Sequence, residues 1–316
     1  MKIYGPVPSW RLGNSLGVDL VDAPKGYSKA CPFNCLYCHL GHKGAQVSEP
    51  VPMNLPSKDF DILEKKINEI KPDYITFSGQ GEPTLNLNLG PAAQRIKEMC
   101  DIPIAVLTNA CFASRKDIRA NLDNCDVVIA KIDAPTQQLF EKINNPAKGI
   151  KLADIIDGIK LINTKVCIQT LIFSYANVTN ADDETIDALL EVYRDINKSK
   201  PIEVLLGTAT RPSDDNGILH PIDSKKLSEI AGRISRESGI KIRYFSENEQ
   251  KKVNRNIVQD QLRTEITDLL LRRPCTRDEI ISRFNGSDAA IVLDKLVDKG
   301  VVGLKVLDKK NYYVVL

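Results

Sequence analysis

Three cysteines stand close together in the run CPFNCLYC, namely Cys31, Cys35 and Cys38. Thiolates at these intervals can hold three corners of a cubane iron–sulfur cluster, with the loop wrapped around one side. The fourth iron then has no protein thiolate, and an open coordination position is what chemistry at the cluster requires. Tyr37, next to the last cysteine, offers an aromatic face on which an adenine could lie. The triad therefore predicts a reactive cluster rather than a simple electron carrier.

A second candidate site follows the predicted strand 74–77, in the run Ser-Gly-Gln-Gly-Glu. Gly79 and Gly81 let the backbone approach a ligand closely, and the Glu82 carboxylate suits a cationic amino group. By itself a Gly-x-Gly-Glu turn is more often an ordinary loop between a strand and a helix. Its position one strand–helix unit after the cysteine triad favours a shared site.

Polar side chains also stand at the ends of the later strands. In a barrel of parallel strands the carboxyl ends converge on one mouth, where ligands bind. The alternative for each residue is a solvated loop position. The candidates are Thr108, Asn109, Asp133, Gln169, Thr170 and Arg211, and Cys111 could also reach the mouth.

Short apolar runs alternate with amphipathic stretches from residue 16 to about residue 245, which predicts alternating strands and helices. Near-continuous Val, Ile and Leu runs indicate a parallel sheet covered on both faces. Because polar residues follow the strand ends, we predict an α/β fold with a partial (β/α)6 barrel over residues 1–245, in preference to a doubly wound sheet. The predicted strands are 16–21, 74–77, 104–108, 127–132, 166–171, 202–206 and 240–244, and the predicted helices are 58–70, 153–162, 183–196 and 224–238.

The pattern changes after residue 245. Residues 246–257 are polar and basic and are predicted to form a linker, and residues 258–316 a separate small domain. Helices at 262–271, from a Thr276–Glu279 capping box, and from Ser287 or Asp288 to Lys299, followed by a hairpin of 301–306 with 312–316, match a winged helix. Basic residues could track an RNA backbone, but docking of a substrate or dimerisation is equally compatible with the mixed charges. The basic residues are Lys251, Lys252, Arg255, Lys305, Lys309 and Lys310.

Amino-acid composition says more about the cellular compartment of the protein than about its function. With 43 Lys and Arg against 41 Asp and Glu among 316 residues, net charge neither favours nor excludes a nucleic-acid partner. The sequence has no signal region and no apolar run long enough to span a bilayer, so we expect a soluble, cytoplasmic protein without a membrane partner. The remaining cysteines are scattered and fit small buried hydrophobes in a reducing compartment. They are Cys100, Cys111, Cys125, Cys167 and Cys275.

The cysteine triad followed by Gly81-Glu82 resembles the radical S-adenosylmethionine (SAM) superfamily. Four further segments are similar to its wyosine-synthetase-like branch, related to tRNA-imidazoG37 synthetase: residues 5–18, 132–135, 143–146 and 208–212. The resemblance runs from residue 5 to about residue 245. It implies that Cys31, Cys35 and Cys38 ligate a [4Fe-4S] cluster and that SAM chelates the unique iron.

By position, the resemblance also implies SAM contacts. Gly81 and Glu82 would hold the methionine amino group, and Thr108 and Asn109 would meet the ribose or carboxylate. Tyr37, Asp133 and Gln169 would be further contacts, and Arg211 would face the SAM carboxylate or an anionic substrate. A ferredoxin or flavodoxin would supply an electron, SAM would be cleaved reductively to a 5′-deoxyadenosyl radical, and the radical would modify tRNA or another large substrate. Radical modification of a protein or a small metabolite is the alternative.

Several alternatives remain. The wyosine synthetases carry further cysteines before the triad, and this chain has none before Cys31, so the reaction could differ. His39 or His42 could complete a zinc site, although decoration of the cluster loop is favoured, and a metal-binding winged-helix regulator would then be the function. A simple electron carrier would need a fourth cysteine ligand. Lys131 could form a Schiff base, but an ion pair at a strand end is favoured.

Overall fold

A mostly parallel sheet of ten strands is the centre of this α/β fold. The computed structural model describes residues 1–42, 44–214, 218–245, 259–284 and 286–316, without the side chains of 259–261. The strands are β1 (Lys2–Ser9), β2 (Gly13–Asp19), β3 (Lys29–Ala30), β4 (Gly44–Ala45), β5 (Tyr74–Phe77), β6 (Ile104–Thr108), β7 (Val127–Lys131), β8 (Lys165–Tyr175), β9 (Val178–Thr179), β10 (Glu203–Thr208), β11 (Leu219–Pro221), β12 (Lys241–Tyr244), β13 (Val302–Leu307) and β14 (Lys310–Val315).

The helices cover the sheet and build the C-terminal region. They are α1 (Ser57–Ile70), α2 (Leu89–Met99), α3 (Lys116–Leu122), α4 (Gln137–Asn144), α5 (Leu152–Lys160), α6 (Asp183–Ser199), α7 (Ser224–Ser238), α8 (Gln259–Arg272), α9 (Arg277–Ile281) and α10 (Gly286–Asp298). A one-turn 3-10 helix spans Pro83–Leu85. Among the described residues, no helix combines the length and apolarity that crossing a bilayer requires.

The strand order along the sheet is β1-β2-β5-β6-β7-β8-β10-β12, and every neighbouring pair from β2 to β12 is parallel. All seven predicted strands are present, which confirms the mostly parallel sheet. Their carboxyl ends therefore lie along one edge, the arrangement that places residues following each strand near one another.

Two features of the sheet were not predicted. Strand β1 pairs antiparallel with β2 at the edge. Its run contains Pro6 and Pro8, which read as loop residues but are tolerated on an edge strand. Strand β8 continues to Tyr175 because β9 and β11 pair antiparallel with its extension.

Apolar residues fill both faces of the sheet. The larger cluster joins the sheet to the outer helices, and fully buried members include Phe77, Ile96 and Ile168. A smaller cluster on the other face includes Ile129 and Leu205 and is covered by the turn after β1. Both faces are therefore buried, as near-continuous apolar strands require.

The C-terminal region contains three helices and a hairpin in the predicted order. The capping box is present: Thr276 accepts from the Glu279 amide, and Glu279 accepts from the Thr276 amide. Helix α10 begins at Gly286, one or two residues before the predicted start at Ser287 or Asp288, and β13 pairs antiparallel with β14. The predicted linker 246–257 lies outside the described residues.

This region packs directly against the N-terminal sheet. Its apolar core, which includes Leu262, Leu269 and Phe284, also takes in Tyr4 of β1. Lys66 of α1 pairs with Glu265 of α8 at 2.5 Å. The C-terminal region therefore shares an interface with β1 and α1 of the N-terminal region.

Candidate active site

The cysteine loop and the Gly-x-Gly-Glu turn are joined through the backbone. The Ala30 amide donates to the Gln80 carbonyl at 3.0 Å, and the Glu82 amide donates to the Ala30 carbonyl at 3.0 Å. Ala30 immediately precedes Cys31, so the first cysteine starts beside the turn that carries Glu82. The structure thus brings together the two motifs that the sequence analysis singled out.

Close approach explains both glycines of the turn. A Cβ on Gly81 would lie 2.1 Å from the Ala30 carbonyl oxygen, and a Cβ on Gly79 would lie 2.0 Å from Asp19 Cγ. Real Cβ atoms do not approach so closely, and the nearest atoms belong to backbone or to a buried carboxylate. A side chain at position 81 would push the turn away from the cysteine loop, and one at position 79 would push it away from Asp19.

The Glu82 carboxylate is buried, with 3% of the residue exposed. Oε1 accepts from the Thr84 amide and hydroxyl and from the Thr108 hydroxyl, and Oε2 accepts from the Asn109 amide at 2.8 Å. Burial raises the pKa of Glu82, and the hydrogen bonds from Thr108 and Thr84 oppose that rise. Oε2 accepts only one of these four bonds, so it can accept another from a cationic amino group.

Amide groups point at two of the three cysteine sulfurs. Cys31 Sγ accepts from the Phe33 amide at 3.4 Å and from Asn109 Nδ2 at 3.5 Å. Cys35 Sγ accepts from Asn144 Nδ2 at 3.4 Å. N–H donors of this kind surround the sulfur ligands of iron–sulfur clusters and stabilise their negative charge.

The thiols also disfavour one another's ionisation. Burial raises the pKa of Cys35 to about 11, and the neighbouring Cys38 adds to the rise. Burial followed by Cys35 raises the pKa of Cys31 well above its ordinary value. Three thiolates in this loop need a cationic centre to compensate them, and a cluster of iron ions supplies that charge. The three residues therefore fit a [4Fe-4S] cluster.

The same loop does not have the geometry of a single-ion site. In the described part of the chain, no group of three or more His, Cys, Asp or Glu side chains could hold one metal ion. A cubane differs because each corner iron has its own thiolate, so the sulfurs need not converge on one point. His39 Nε2 donates to the Arg272 carbonyl at 3.0 Å, and His42 Nε2 lies 3.3 Å from the Leu36 carbonyl. Both imidazoles thus have other partners.

Asp133 ties the cysteine loop to the end of β7. Its Oδ2 accepts from the Tyr37 hydroxyl and from Asn144 Nδ2, the latter at 3.2 Å, and Oδ1 accepts from the Leu171 amide at 2.8 Å. Lys131 Nζ lies 2.7 Å from Oδ1, which confirms the predicted ion pair. The buried carboxylate thereby fixes Tyr37 beside the cysteines.

The Tyr37 ring, proposed as a face for adenine, already has neighbours. Phe173 packs against it edge to face with ring centroids 5.3 Å apart, and Lys131 Nζ lies 4.8 Å from the Tyr37 centroid. Burial lowers the pKa of Lys131, and Asp133 opposes this effect. A ligand such as adenine can therefore contact only the part of the Tyr37 ring that Phe173 and Lys131 do not cover.

Three predicted strand-end residues are engaged elsewhere. Gln169 accepts from Arg11, and Thr170 bonds the Ile132 carbonyl and the Tyr193 hydroxyl. Arg211 forms a bidentate ion pair with Glu279 of α9. Its charge is therefore paired within the protein, and the expected contact of Arg211 with an anionic ligand stays a prediction.

Two contributors were missed at the sequence level. Asn144 bonds Cys35 and Asp133, but its position at the end of a helix gave no signal beyond its place in segment 143–146. Asp19 accepts from the Gln80 amide at 2.9 Å. It ends β2, but the predicted strand 16–21 placed it inside the strand, so the strand-end pattern did not point to it.

The chain is similar to several curated proteins, to two of them over almost its whole length. It is 29% identical to a UPF0026 protein of Methanocaldococcus jannaschii, covering 98% of this chain and 95% of that protein. It is 31% identical to a UPF0026 protein of a Synechocystis species, covering 76% and 95% respectively. A protein of Brachyspira hyodysenteriae named GTPase Obg is 28% identical over 99% of this chain, which spans only 45% of that protein.

Solved structures share the fold at low sequence identity. A structure of TYW1 with a lysine–pyruvate adduct bound matches with a TM-score of 0.53 and 16% identity, covering 76% of this chain and 79% of that one. A spore photoproduct lyase variant matches with a TM-score of 0.50 and 12% identity over 78% of this chain and 88% of that one. The radical SAM superfamily model matches residues 27–196, a span that includes the cysteine loop, the Gly-x-Gly-Glu turn and Asp133. The chain belongs to the radical SAM superfamily.

Proposed function

We propose that this enzyme binds a [4Fe-4S] cluster through Cys31, Cys35 and Cys38 and holds SAM between that cluster and the Gly81-Glu82 turn. The observation that carries the proposal is the pair of 3.0 Å backbone hydrogen bonds joining Ala30 to Gln80 and Glu82. They fix the distance between the cysteine loop and a buried carboxylate able to accept from the methionine ammonium group. Family membership supports the same assignment.

A [4Fe-4S] cluster held by Cys31, Cys35 and Cys38 would supply the one-electron reduction that cleaves the C5′–S bond of SAM to methionine and a 5′-deoxyadenosyl radical. The chain's own residues orient and protect these groups. Glu82 Oε2 would accept from the ammonium group of SAM. Asn109 and Asn144 donate to the cysteine sulfurs, and Asp133 holds Tyr37 beside them. A ferredoxin or flavodoxin would provide the electron.

For the substrate, we propose tRNA, held at the mouth of a partial (β/α)6 barrel. We further propose that the C-terminal region is a winged helix. The likeness of the fold to TYW1 supports the barrel, and the order of three helices and a hairpin supports the winged helix. Lys305 of the wing pairs with Asp214 at 2.7 Å, so it adds less to a phosphate-binding surface than its charge suggests. Modification of a protein or small metabolite is the alternative outcome of the substrate test.

The chemistry can be tested by anaerobic reconstitution with iron and sulfide, followed by dithionite and SAM. The expected result is a four-iron cluster and formation of 5′-deoxyadenosine, both absent in Cys35→Ala. A matched control is Cys125→Ala, a buried cysteine outside the triad. Binding of zinc instead of iron, without 5′-deoxyadenosine, would sink the proposal.

The substrate can be tested by mass spectrometry of tRNA nucleosides and tryptic peptides from cells with and without the gene. A strain carrying Cys35→Ala is the matched control, because the protein is present but cannot assemble the cluster. A nucleoside that requires the intact triad supports tRNA. A triad-dependent mass change confined to peptides or metabolites would replace tRNA as the substrate.

A further inference from the structure

Arg272, the last residue of α8, inserts from the C-terminal region into the space beside the candidate active site. Its Nε donates to Asp19 Oδ2 at 3.0 Å, and the side chains of both residues are 3% exposed. Its Nη1 donates to the Asp268 carbonyl at 2.9 Å, which holds the guanidinium against its own helix. Such a dry, hydrogen-bonded ion pair is costly to break from one side, because the remaining charge is left buried.

Through Asp19, this ion pair reaches the Gly-x-Gly-Glu turn. Asp19 Oδ2 also accepts from the Gln80 amide at 2.9 Å, and Oδ1 accepts from the Val21 amide at 3.2 Å. Gly79 lies against the same carboxylate. The Asp19 carboxylate therefore holds the turn that carries Glu82, through its hydrogen bond from the Gln80 amide and its contact with Gly79.

A second contact reaches the same turn through Tyr4. The Arg272 guanidinium carbon lies 5.4 Å from the centroid of the buried Tyr4 ring. The Tyr4 hydroxyl is 2.6 Å from Ser78 Oγ, and Ser78 is the first residue of the turn. A planar guanidinium can stack on this ring while its Nε bonds the carboxylate, which an ammonium group cannot do in the same way.

The main chain of Arg272 reaches the cysteine loop. Its carbonyl accepts from His39 Nε2 at 3.0 Å, and His39 directly follows Cys38. Arg272 thus contacts both the cysteine loop, through its carbonyl group, and Asp19, whose carboxylate holds the turn that carries Glu82. These two motifs come from separate parts of the N-terminal region.

We propose that Arg272 is a positioning residue that sets the cysteine loop and the Gly-x-Gly-Glu turn at the separation needed for SAM binding. This inference rests on the proposed function, in which SAM lies between the two motifs. It assigns the C-terminal region a role in building the active site, in addition to any contact that this region makes with a substrate.

The test compares Arg272→Met and Arg272→Lys with the control Arg277→Met, which removes an exposed ion pair to Asp294 in the same region. Amide hydrogen exchange is measured over residues 31–42 and 78–82 of the full chain, alongside iron content, melting temperature and the SAM dissociation constant after reconstitution. In Arg272→Met we expect exchange in both loops to accelerate at least tenfold and SAM affinity to fall at least tenfold, with iron content retained. Arg272→Lys should recover part of both, and Arg277→Met should match the wild type.

Asp19→Asn provides a second route if Arg272→Met does not fold, because it removes the ion pair while keeping an acceptor for Gln80. Exchange in the two loops should again accelerate. Unchanged exchange in every folded variant of this pair would overturn the inference. If the wild type itself binds no SAM, the proposed function fails, and loop exchange still decides whether Arg272 positions the two motifs.

Discussion

The Thr108 hydroxyl donates a 2.5 Å hydrogen bond to Glu82 Oε1, although 26 residues separate the two in the chain. Thr108 is the last residue of β6, and Glu82 follows β5, its parallel neighbour. The contact therefore results from the common direction of two adjacent strands. It shows how the sheet edge, rather than either motif alone, orients the carboxylate.

We expect Glu82→Gln to destabilise the protein before any cofactor is considered. The two carboxylate oxygens face only donors, so an amide NH₂ at either position would oppose at least one of them. Leaving a buried donor unpaired costs about 1–3 kcal/mol. Urea unfolding of the apo-protein should show this loss, whereas Glu191→Gln, whose side chain is 69% exposed, should not. An unchanged urea midpoint for Glu82→Gln would contradict the geometry described for this site.

Replacement of single cysteines should separate the triad from the scattered thiols. Alanine at Cys31, Cys35 or Cys38 should abolish the four-iron cluster, because three thiolates are the fewest that hold a cubane with one open iron. Alanine at Cys111 should leave iron content unchanged, although Cys111 is buried and its amide donates to Asn109, which itself donates to Cys31. Iron and sulfide analysis after anaerobic reconstitution measures both. Loss of the cluster in the Cys111 variant would indicate a fourth protein ligand and favour an electron carrier.

Asn144→Ala should make the cluster harder to reduce. An amide that donates to a cysteine sulfur stabilises the more negative, reduced form, so its removal should move the reduction potential to more negative values. Asn144 Nδ2 donates to Cys35 Sγ at 3.4 Å, so its removal takes one such hydrogen bond away from a cluster ligand. A redox titration followed by electron paramagnetic resonance measures the shift. Asn163→Ala, which alters only an exposed contact with Asp123, is the control, and equal potentials in all three proteins would contradict the assignment.

Local patterns were sufficient to predict one part of the site. Thr108, Asn109 and Asp133 were predicted because each closes or directly follows an apolar strand, and parallel strands must end at a common edge. The cysteine spacing and the glycines of the turn likewise report local constraints. These site residues can therefore be predicted from the few residues on either side of each in the sequence.

The remaining part depends on contacts that no local pattern carries. Asp19 and Arg272 are 253 residues apart, and each alone reads as an ordinary charged residue. Arg211 was predicted at a strand end, but its partner Glu279 lies in α9, and the docking of the C-terminal region decides which anion it meets. The burial of two charges against each other is a property of the packed structure, not of either segment.

Glu279 should make stability depend on pH. Burial alone would raise its pKa, but Arg211 and then Arg273 outweigh burial and lower the pKa of Glu279 from 4.5 to about 2. The folded state therefore releases this proton more readily than the unfolded state, and the resulting stability is present above about pH 4.5 and lost as pH falls toward 2. At neutral pH the ion pair contributes on the order of 3 kcal/mol by this linkage.

The measurement is urea unfolding of the wild type and Glu279→Gln from about pH 6 to about pH 3. The wild type should be the more stable protein at the upper end, and the difference should narrow below about pH 4.5. Because both proteins share all other carboxylates, the difference isolates Glu279. A gap that stays constant over this range would show that the pKa of Glu279 is the same in the folded and unfolded states.

Arg283→Met should stabilise the protein. Arg283 is 1% exposed, and neither its Nε nor its Nη2 has a hydrogen-bond partner among the described residues. Burial lowers its pKa, which is the sign of a guanidinium held at a cost to the folded state. Methionine fills much of the same volume without a charge, so we expect the free energy of unfolding to rise by about 1–3 kcal/mol. Urea unfolding measures this change, with the exposed Arg236→Met as a control that should stay within about 0.5 kcal/mol of the wild type. A clear loss of stability in Arg283→Met would mean that its two free nitrogens are compensated in the folded protein.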